Sequence, residues 1–301
     1  MNPDDKPFPI PHTLAEFAAE PDNDKWRGWI ARLPALVAEL TERWSLELGA
    51  PYEPGGMCSW VAPARNAEGE ALVLKMGVRH SEAEHEIDAL RFWDGDGAAR
   101  LYASSVTDDT CVLLLERCTP GHSLKQTLPE PEQDRIVAGL LRRLWKEPPP
   151  GHPFRPLQSM CDEWGDELAA DAERNPDQVD AGLVRAGLEI FRSYAGTADR
   201  AVLLATDLHG DNVLAASREA WLVIDPKPYV GDPAYDAVQH MLNCPERVDA
   251  DPYGFCQRMA NLLDVETERV QTWLFARCVQ ESFNNEPWTQ HLGSVATRIA
   301  P

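Results

Sequence analysis

The chain has 301 residues, a formal net charge of −21 and 44% hydrophobic residues. This length is long for a single core and suits two lobes around a cleft. The acidic charge argues against nucleic acid and anionic membranes as partners, because both attract basic patches. It is compatible with a cationic small-molecule substrate, and equally with simple solubility.

Cysteine usage and the N-terminal sequence predict a cytoplasmic protein. The seven cysteines are scattered and odd in number, and none forms a C-x-x-C pair, which argues against a zinc site or a disulfide framework. The first twelve residues are acidic and proline-rich, unlike a signal or transit peptide. No apolar run approaches the roughly 18 residues that a membrane helix needs.

The first part of the chain predicts helices followed by a sheet. A short helix is expected over Thr13–Ala19, with Thr13 as its cap, and a second over Lys25–Leu40, which Pro34 can split. The hydrophobic period then changes from helical to alternating. Five antiparallel strands are predicted at Trp44–Leu48, Met57–Ala64, Ala71–Lys75, Arg100–Val106 and Thr110–Glu116.

Two features of this sheet indicate nucleotide binding. Gly55 and Gly56, in the loop between the first two strands, would allow close backbone approach to phosphate oxygens, although an ordinary hairpin turn fits equally. Lys75 closes an apolar strand and needs a partner or solvent. Glu86 on the following helix, predicted over 81–93, is the candidate partner, and Glu82 on the same face is the alternative.

The second part of the chain is mainly helical. Amphipathic periodicity and turn residues predict seven helices. They are expected at Ser123–Leu128, Glu132–Lys146, Leu157–Glu173, Gln178–Tyr194, Ala237–Asn243, Tyr253–Leu263 and Val265–Phe283.

Polar residues with an informative spacing interrupt these helices. Asp207 and Asn212 follow one short apolar strand, and Asp225 ends another. Carboxylate and amide oxygens suit Mg²⁺, which also takes ligands from substrate phosphates. In the protein-kinase catalytic loop an Asp accepts the substrate hydroxyl proton, an Asn five residues later binds metal, and a strand-end Asp binds the main metal.

We therefore predict Asp207 as the catalytic base and Asn212 and Asp225 as the metal ligands. The alternative is a turn in which Asp and Asn side chains cap the backbone. His209 inside the loop is expected to hold its conformation, with metal ligation or proton shuttling as the alternatives.

This segment resembles the aminoglycoside/hydroxyurea antibiotic resistance kinase family, a branch of the aminoglycoside phosphotransferases. That family carries H-G-D-L-H-x-G-N-V-L, W-L-x-I-D-P-K-P and G-D-P-A-Y-D, and this chain has A-T-D-L-H-G-D-N-V-L at 205–214, W-L-V-I-D-P-K-P at 221–228 and G-D-P-A-Y-D at 231–236. Ala205 and Thr206 thus replace His-Gly, a change that bears on loop geometry more than on reaction type.

The resemblance implies an α+β, two-lobed protein-kinase-like fold. The N-lobe would span residues 1–117, with a helical arm and the five-stranded nucleotide-binding sheet, and the helical C-lobe residues 118–301. The family's L-L-E-R-x-x-P-G hinge matches the chain at Glu116, whose backbone would meet adenine together with that of Cys118. Asp236 would hydrogen-bond the catalytic-loop backbone.

The implied reaction is transfer of the ATP γ-phosphoryl group, with Mg²⁺, to a hydroxyl of a small molecule. Lys75, paired with Glu86, would bind the α- and β-phosphates. The family implies a streptomycin-type aminoglycoside or hydroxyurea as acceptor, giving antibiotic resistance. Candidate acceptor residues, each otherwise a solvated helix position, are Glu281, Asn284, Asp162, Glu163 and Asp166.

Three other functions fit the same residues. One is a kinase of an unidentified metabolite. Another is a non-catalytic nucleotide-binding protein of the same fold, in which the Ala205-Thr206 change has relaxed the loop. The third is a metal-dependent hydrolase that would act without ATP.

Overall fold

The computed structural model describes residues 8–80, 85–284, 286–289 and 291–301. The chain forms two compact units. The first comprises the residues up to Gly95 together with Ala99–Thr119, and the second Asp96–Ala98 together with Pro120–Pro301. Among the described residues, no helix has both the length and the apolarity to cross a membrane.

Three helices open the first unit: α1 (His12–Ala19), α2 (Asp24–Ile30) and α3 (Leu33–Arg43). The predicted split at Pro34 is confirmed, because this proline lies in the first turn of α3, where its missing N–H group costs nothing. The predicted Thr13 cap is wrong. Pro11 occupies the N-cap position of α1 without a side-chain bond.

The predicted five-stranded antiparallel sheet is confirmed, with the order β1-β2-β3-β5-β4. Its inward residues and the apolar residues of α1 to α3 share one hydrophobic core. A fourth helix, α4 (Glu86–Trp93), follows β3. The strands are β1 (Glu47–Leu48), β2 (Ser59–Arg65), β3 (Ala71–Val78), β4 (Leu101–Val106) and β5 (Thr110–Glu116).

Two predicted strand boundaries are wrong. Lys75 lies in the interior of β3 and does not end it, because the alternation of buried and half-buried residues continues through Met76 to Val78. The first strand is reduced to two residues, since α3 runs to Arg43 and Ser45 has a left-handed φ of 50° that breaks an extended chain. The predicted helix start and the alternative partner Glu82 lie outside the described residues.

The second unit is mainly helical. Two of its helices, α10 (Pro245–Ala250) and α13 (Leu292–Ile299), are absent from the prediction, although α13 buries residues at helical spacing. The helices are α5 (Leu124–Thr127), α6 (Glu130–Leu144), α7 (Leu157–Arg174), α8 (Ala181–Ser193), α9 (Ala237–Leu242), α10 (Pro245–Ala250), α11 (Pro252–Leu263), α12 (Thr267–Glu281) and α13 (Leu292–Ile299).

Two short antiparallel strand pairs lie between α8 and α9 and position the polar loop. Strand β6 pairs with β9, and β7 pairs with β8 with Val213 opposite Val223. The backbone N–H of Ile224 donates to the Asn212 carbonyl at 3.0 Å, so the pairing continues to the loop. The strands are β6 (Val202–Leu204), β7 (Val213–Ala215), β8 (Trp221–Val223) and β9 (Tyr229–Gly231).

Candidate active site

A buried carboxylate fixes the point where β6 enters the loop. Asp236 is fully buried and accepts hydrogen bonds from the backbone N–H groups of Ala205 at 3.0 Å and Thr206 at 2.7 Å, and from Trp145 Nε1 at 2.9 Å. Burial raises the pKa of Asp236 to about 6, and these three hydrogen bonds act in the opposite direction. These are the backbone contacts that the family resemblance implies for Asp236.

Thr206, which stands where the family has glycine, adopts a glycine-like conformation. Its φ is +48°, a region that β-branched residues rarely occupy. Its hydroxyl donates to the carbonyl of Lys227, and the Lys227 N–H donates to the Ala205 carbonyl at 2.9 Å. The substitution is therefore accommodated by a two-bond link between the loop and the segment that follows Asp225.

Asp207 lies at the centre of the loop, with different neighbours at its two carboxylate oxygens. Oδ1 accepts from Gln239 Nε2 at 3.0 Å and lies 3.9 Å from His209 Nε2. Oδ2 lies 3.2 Å from Lys227 Nζ and 3.5 Å from Asn212 Nδ2. The carboxylate is thus oriented on both sides while its side chain keeps 16% exposure.

His209 and Gly210 shape the rest of the loop. The Nδ1 atom of His209 accepts from the Asp211 backbone at 3.4 Å and caps the short 3₁₀ turn that follows. Burial lowers the pKa of His209, which favours the neutral imidazole. A Cβ at position 210 would lie 2.6 Å from Gln133 Oε1 and 3.0 Å from Lys125 Cβ, so close packing requires glycine there.

Asn212 and Asp225 lie at the same end of the β7–β8 hairpin. Asn212 Nδ2 donates to the backbone oxygen of Asp207 at 2.9 Å, which directs the amide oxygen away from that residue. Asp225 has a left-handed φ of +52°. An amide oxygen and one carboxylate fit Mg²⁺, which takes its remaining ligands from phosphates and water.

The described residues contain no group of three or more His, Cys, Asp or Glu side chains that could hold a metal ion. A cation held by Asn212 and Asp225 therefore needs ligands from elsewhere. Bound phosphate oxygens are suitable ligands.

A cavity of about 440 Å³ opens beside Asp207 within the second unit. Two of its lining residues, His209 and Gln239, are the neighbours of Asp207 Oδ1. The cavity is lined by Lys125, His209, Gln239, Leu242, Asn243, Pro245, Arg277 and Glu281.

The candidate acceptor residues separate into two groups. Glu281 lines the cavity, pairs with Arg277 at 2.5 Å and accepts from Asn284 Nδ2 at 2.5 Å. Asp162 and Asp166 lie on α7, where both pair with Arg192.

Glu163 has a different partner from its neighbours on α7. Its carboxylate lies 3.4 Å from Arg155 Nη1. Of the predicted acceptor residues, the structure therefore brings Glu281, with Asn284 behind it, to the cavity beside Asp207.

In the first unit, Lys75 and Glu86 form a buried ion pair. The ammonium lies 2.8 Å from both Glu86 oxygens, and the two side chains are 13% and 4% exposed. Glu86, the partner predicted from the sequence, is therefore in contact with Lys75. An ammonium held this way from a strand interior is suited to binding phosphate oxygens.

The remaining nucleotide candidates are placed as follows. Gly55 has a φ of +84°, and a Cβ there would overlap the Pro11 ring, so glycine is required for packing against the N-terminal segment. Gly56 is adjacent, with Ser59 nearby. Glu116 ends β5 and its N–H donates to the Arg100 carbonyl at 2.8 Å, and Cys118 is buried just before the second unit begins.

Sequence reasoning missed three residues around the loop: Lys227, Gln239 and Arg277. Lys227 lies within the quoted W-L-V-I-D-P-K-P segment, so the motif carried a signal. Arg277 lies four residues before Glu281 on α12, so helical spacing carried a signal for this pair. Gln239 lies 32 positions from Asp207, and no local pattern indicates that contact.

Known proteins resemble the chain along most of its length. Streptomycin 6-kinase from Streptomyces griseus is 33% identical over 97% of this chain and 94% of its own. Hydroxyurea phosphotransferase from Kitasatospora aureofaciens is 33% identical over 95% of this chain and 82% of its own.

Solved structures share the fold. The choline kinase LicA from Streptococcus pneumoniae has a TM-score of 0.60 at 13% identity, covering 89% of this chain and 98% of its own. The aminoglycoside phosphotransferase APH(3'')-Id from Streptomyces rimosus, solved with ADP and streptomycin, has a TM-score of 0.53 at 17% identity, covering 84% and 98%. The protein-kinase-like fold expected from the motifs is thus confirmed.

The family assignment follows from sequence. The motif at 205–236 and the relatives described above agree with a match over residues 43–286. The chain belongs to the aminoglycoside/hydroxyurea antibiotic resistance kinase family.

Proposed function

We propose that this protein transfers the γ-phosphoryl group of ATP to a hydroxyl of a streptomycin-type aminoglycoside, and so inactivates the antibiotic. The observation that carries the proposal is the position of Asp207. Its Oδ1 lies beside Gln239 and His209, which line the 440 Å³ cavity. A hydroxyl bound in this cavity is suitably placed to give its proton to that oxygen.

The chemistry needs positioning and charge compensation more than covalent work by the protein. Asp207 orients the acceptor hydroxyl and accepts its proton. Asn212 and Asp225 would hold Mg²⁺, which neutralises phosphate charge when bound. Their location at the end of one hairpin, next to the Asp207 loop, supports this assignment.

We assign nucleotide binding to residues of the first unit and the segment that ends it. Lys75, held by Glu86, binds the α- and β-phosphates. The Gly55-Gly56 loop and the backbone of Glu116 and Cys118 complete the ATP site. The ADP bound in the fold relative from Streptomyces rimosus supports a nucleotide as the donor.

The cavity favours an acceptor larger than hydroxyurea. Its volume is in the range of sites for drug-sized ligands, whereas hydroxyurea has five non-hydrogen atoms and would fill a small part of it. Glu281 brings a carboxylate to the lining, where Arg277 and Asn284 hold it in place. Lys125 and Arg277 bring positive charge to the same lining, so the volume of the cavity supports the larger acceptor more than its charge does. Hydroxyurea remains the second candidate because a relative of equal identity is named for it.

The test is ADP release by the purified protein with MgATP, measured against streptomycin, other aminoglycosides, hydroxyurea and small alcohols. Mass spectrometry of each acceptor then detects the added phosphoryl group. We expect streptomycin to give the highest kcat/KM. Turnover with another acceptor would replace the substrate assignment, and ATP binding without transfer to any of them would favour a non-catalytic role.

A further inference from the structure

The segment after Asp225 places a cation beside the proposed base. Lys227 Nζ lies 3.2 Å from Asp207 Oδ2, and the lysine side chain is 35% exposed. This contact joins residues twenty positions apart across the strand β8 and its hairpin. It belongs to none of the roles that the catalytic-loop spacing assigns.

The backbone of Lys227 is held from both directions. Its N–H donates to the Ala205 carbonyl at 2.9 Å, and its carbonyl accepts from the Thr206 hydroxyl. Pro226 and Pro228 on either side restrict the backbone further. Ala205 and Thr206, which stand where the family has His-Gly, therefore anchor this lysine. These two bonds fix its position beside Asp207.

The two oxygens of Asp207 define which side the lysine occupies. Oδ1 faces Gln239 and His209, both of which line the acceptor cavity. Oδ2 faces Lys227 and Asn212. Lys227 is thus on the side of the proposed metal ligand, where the phosphoryl group would arrive.

We propose that Lys227 binds the γ-phosphoryl group during transfer, an inference that rests on the proposed kinase function. The acceptor oxygen forms a bond to the γ-phosphorus while the bond to the bridging oxygen breaks. The electron pair stays on ADP, and the acceptor proton passes to Asp207. The ammonium of Lys227 stabilises the charge on the phosphoryl oxygens as these bonds change.

Lys146 provides a matched control for Lys227. Its Nζ pairs with Asp96 Oδ2 at 2.5 Å and its side chain is 38% exposed, so it resembles Lys227 in charge, exposure and an ion-pair partner. Asp96 also pairs with Arg143, and the three side chains are each about 40% exposed. Lys146→Met therefore removes a comparable ion pair that has no assigned role in the reaction.

The experiment compares Lys227→Met, Lys227→Arg and Lys146→Met with the wild-type protein. Calorimetry measures affinity for MgADP and for MgADP with aluminium fluoride, which mimics the transferring phosphoryl group. Steady-state assays give kcat and KM. We expect Lys227→Met to bind MgADP within about twofold of wild type, to lose about 10²-fold in fluoroaluminate-complex affinity, and to lose about 10²–10³-fold in kcat.

The control and the conservative variant sharpen the result. Lys146→Met should match wild type in every measurement, and Lys227→Arg should retain part of the fluoroaluminate affinity because it keeps the charge. If Lys227→Met does not fold, Lys227→Gln replaces it, because it keeps a polar side chain and removes the charge; a folded Lys227→Gln protein with wild-type kcat and fluoroaluminate affinity overturns the proposal.

Two outcomes separate this inference from the function on which it rests. A wild-type enzyme that transfers phosphate, with Lys227→Met equal to it in kcat and fluoroaluminate affinity, overturns the lysine assignment alone. A wild-type protein that neither binds the fluoroaluminate complex nor transfers phosphate overturns the proposed function and the lysine role together.

Discussion

Two carboxylates in the second unit, Asp134 and Asp207, are surrounded by basic or polar side chains. They differ in how tightly those side chains hold the carboxylate and in how much of it remains accessible. Asp134 on α6 is fully buried. Its oxygens accept from His240 at 2.9 Å, from both terminal nitrogens of Arg247 at 2.9 and 2.7 Å, and from Arg258 at 2.5 Å. These hydrogen bonds connect α6 with α9, α10 and α11.

Asp207 has looser contacts and partial access to solvent. Its nearest side-chain neighbours lie at 3.0 to 3.9 Å, and they are two amides, one ammonium and one imidazole. A carboxylate held by two guanidinium groups can accept a proton only by giving up strong bonds. The comparison indicates that Asp134 stabilises the fold, whereas the contacts of Asp207 leave its carboxylate partly accessible.

The largest expected effect is on activity at Asp207. Replacing it with Asn keeps the shape but removes the proton acceptor, so we expect kcat to fall by about 10⁴-fold while MgATP affinity stays within about threefold. The free energy of unfolding should change by less than about 1 kcal/mol. Steady-state kinetics, nucleotide calorimetry and urea denaturation measure the three quantities.

Asp211→Asn is the matched control, because Asp211 is in the same loop and pairs with Lys125 at 3.1 Å, but is about half exposed. We expect it to retain kcat within about threefold. Wild-type turnover by Asp207→Asn would remove Asp207 from the mechanism. The difference between its contacts and those of Asp134 would then have no catalytic consequence.

The second effect is on stability at Asp134. Asp134→Ala leaves two guanidinium groups without their buried partner, so we expect the free energy of unfolding to fall by about 3–5 kcal/mol. The kcat per folded molecule at low temperature should stay within a few-fold of wild type. A variant as stable as wild type in urea denaturation would show that these bonds add no net stability.

The pH dependence of the same variant provides an independent check. Burial alone would raise the pKa of Asp134, but the hydrogen bonds from His240, Arg247 and Arg258 outweigh it and hold the pKa well below the ordinary value. The stability from this lowered pKa is present above the unfolded pKa of about 3.9 and is lost as the pH falls below it. The difference between wild type and Asp134→Ala should therefore shrink at pH values below about 4.

The same comparison explains how far the sequence could predict the molecule. Asp207, Asn212 and Asp225 lie within nineteen residues, so a local motif can predict them together as one candidate site. Asp134 receives its bonds from residues 106 to 124 positions away. Nothing in one sequence marks those pairs, because tertiary packing alone brings them together.

The strand that carries Lys75 shows a different reason for error. The charge of Lys75 predicts a strand end, but Met76 and Val78 continue the buried alternation beyond it. The Glu86 contact is predicted correctly from the kinase pattern, in which the strand lysine pairs with a Glu on the next helix, while helical periodicity leaves Glu82 on the same face as an alternative. Local pattern therefore predicted the ion pair, while the strand length depended on how a buried charge was interpreted.

The smallest expected effect is at Thr206, which links the Asp207 loop to Lys227. Thr206→Val keeps the shape but removes the hydroxyl that bonds the Lys227 carbonyl, and it retains a β-branched residue at a φ of +48°. We expect a loss of about 1–2 kcal/mol in unfolding free energy and a fall of about tenfold in kcat, because the lysine loses one of its two backbone anchors. Thr41→Val removes a hydroxyl bond to the Val37 carbonyl within α3, which also belongs to the helix ladder, and should leave kcat unchanged and stability within about 0.5 kcal/mol. Equal kinetic effects of the two variants would show that Thr206 contributes to folding alone, and would leave the position of Lys227 independent of the residue that replaces the family's glycine.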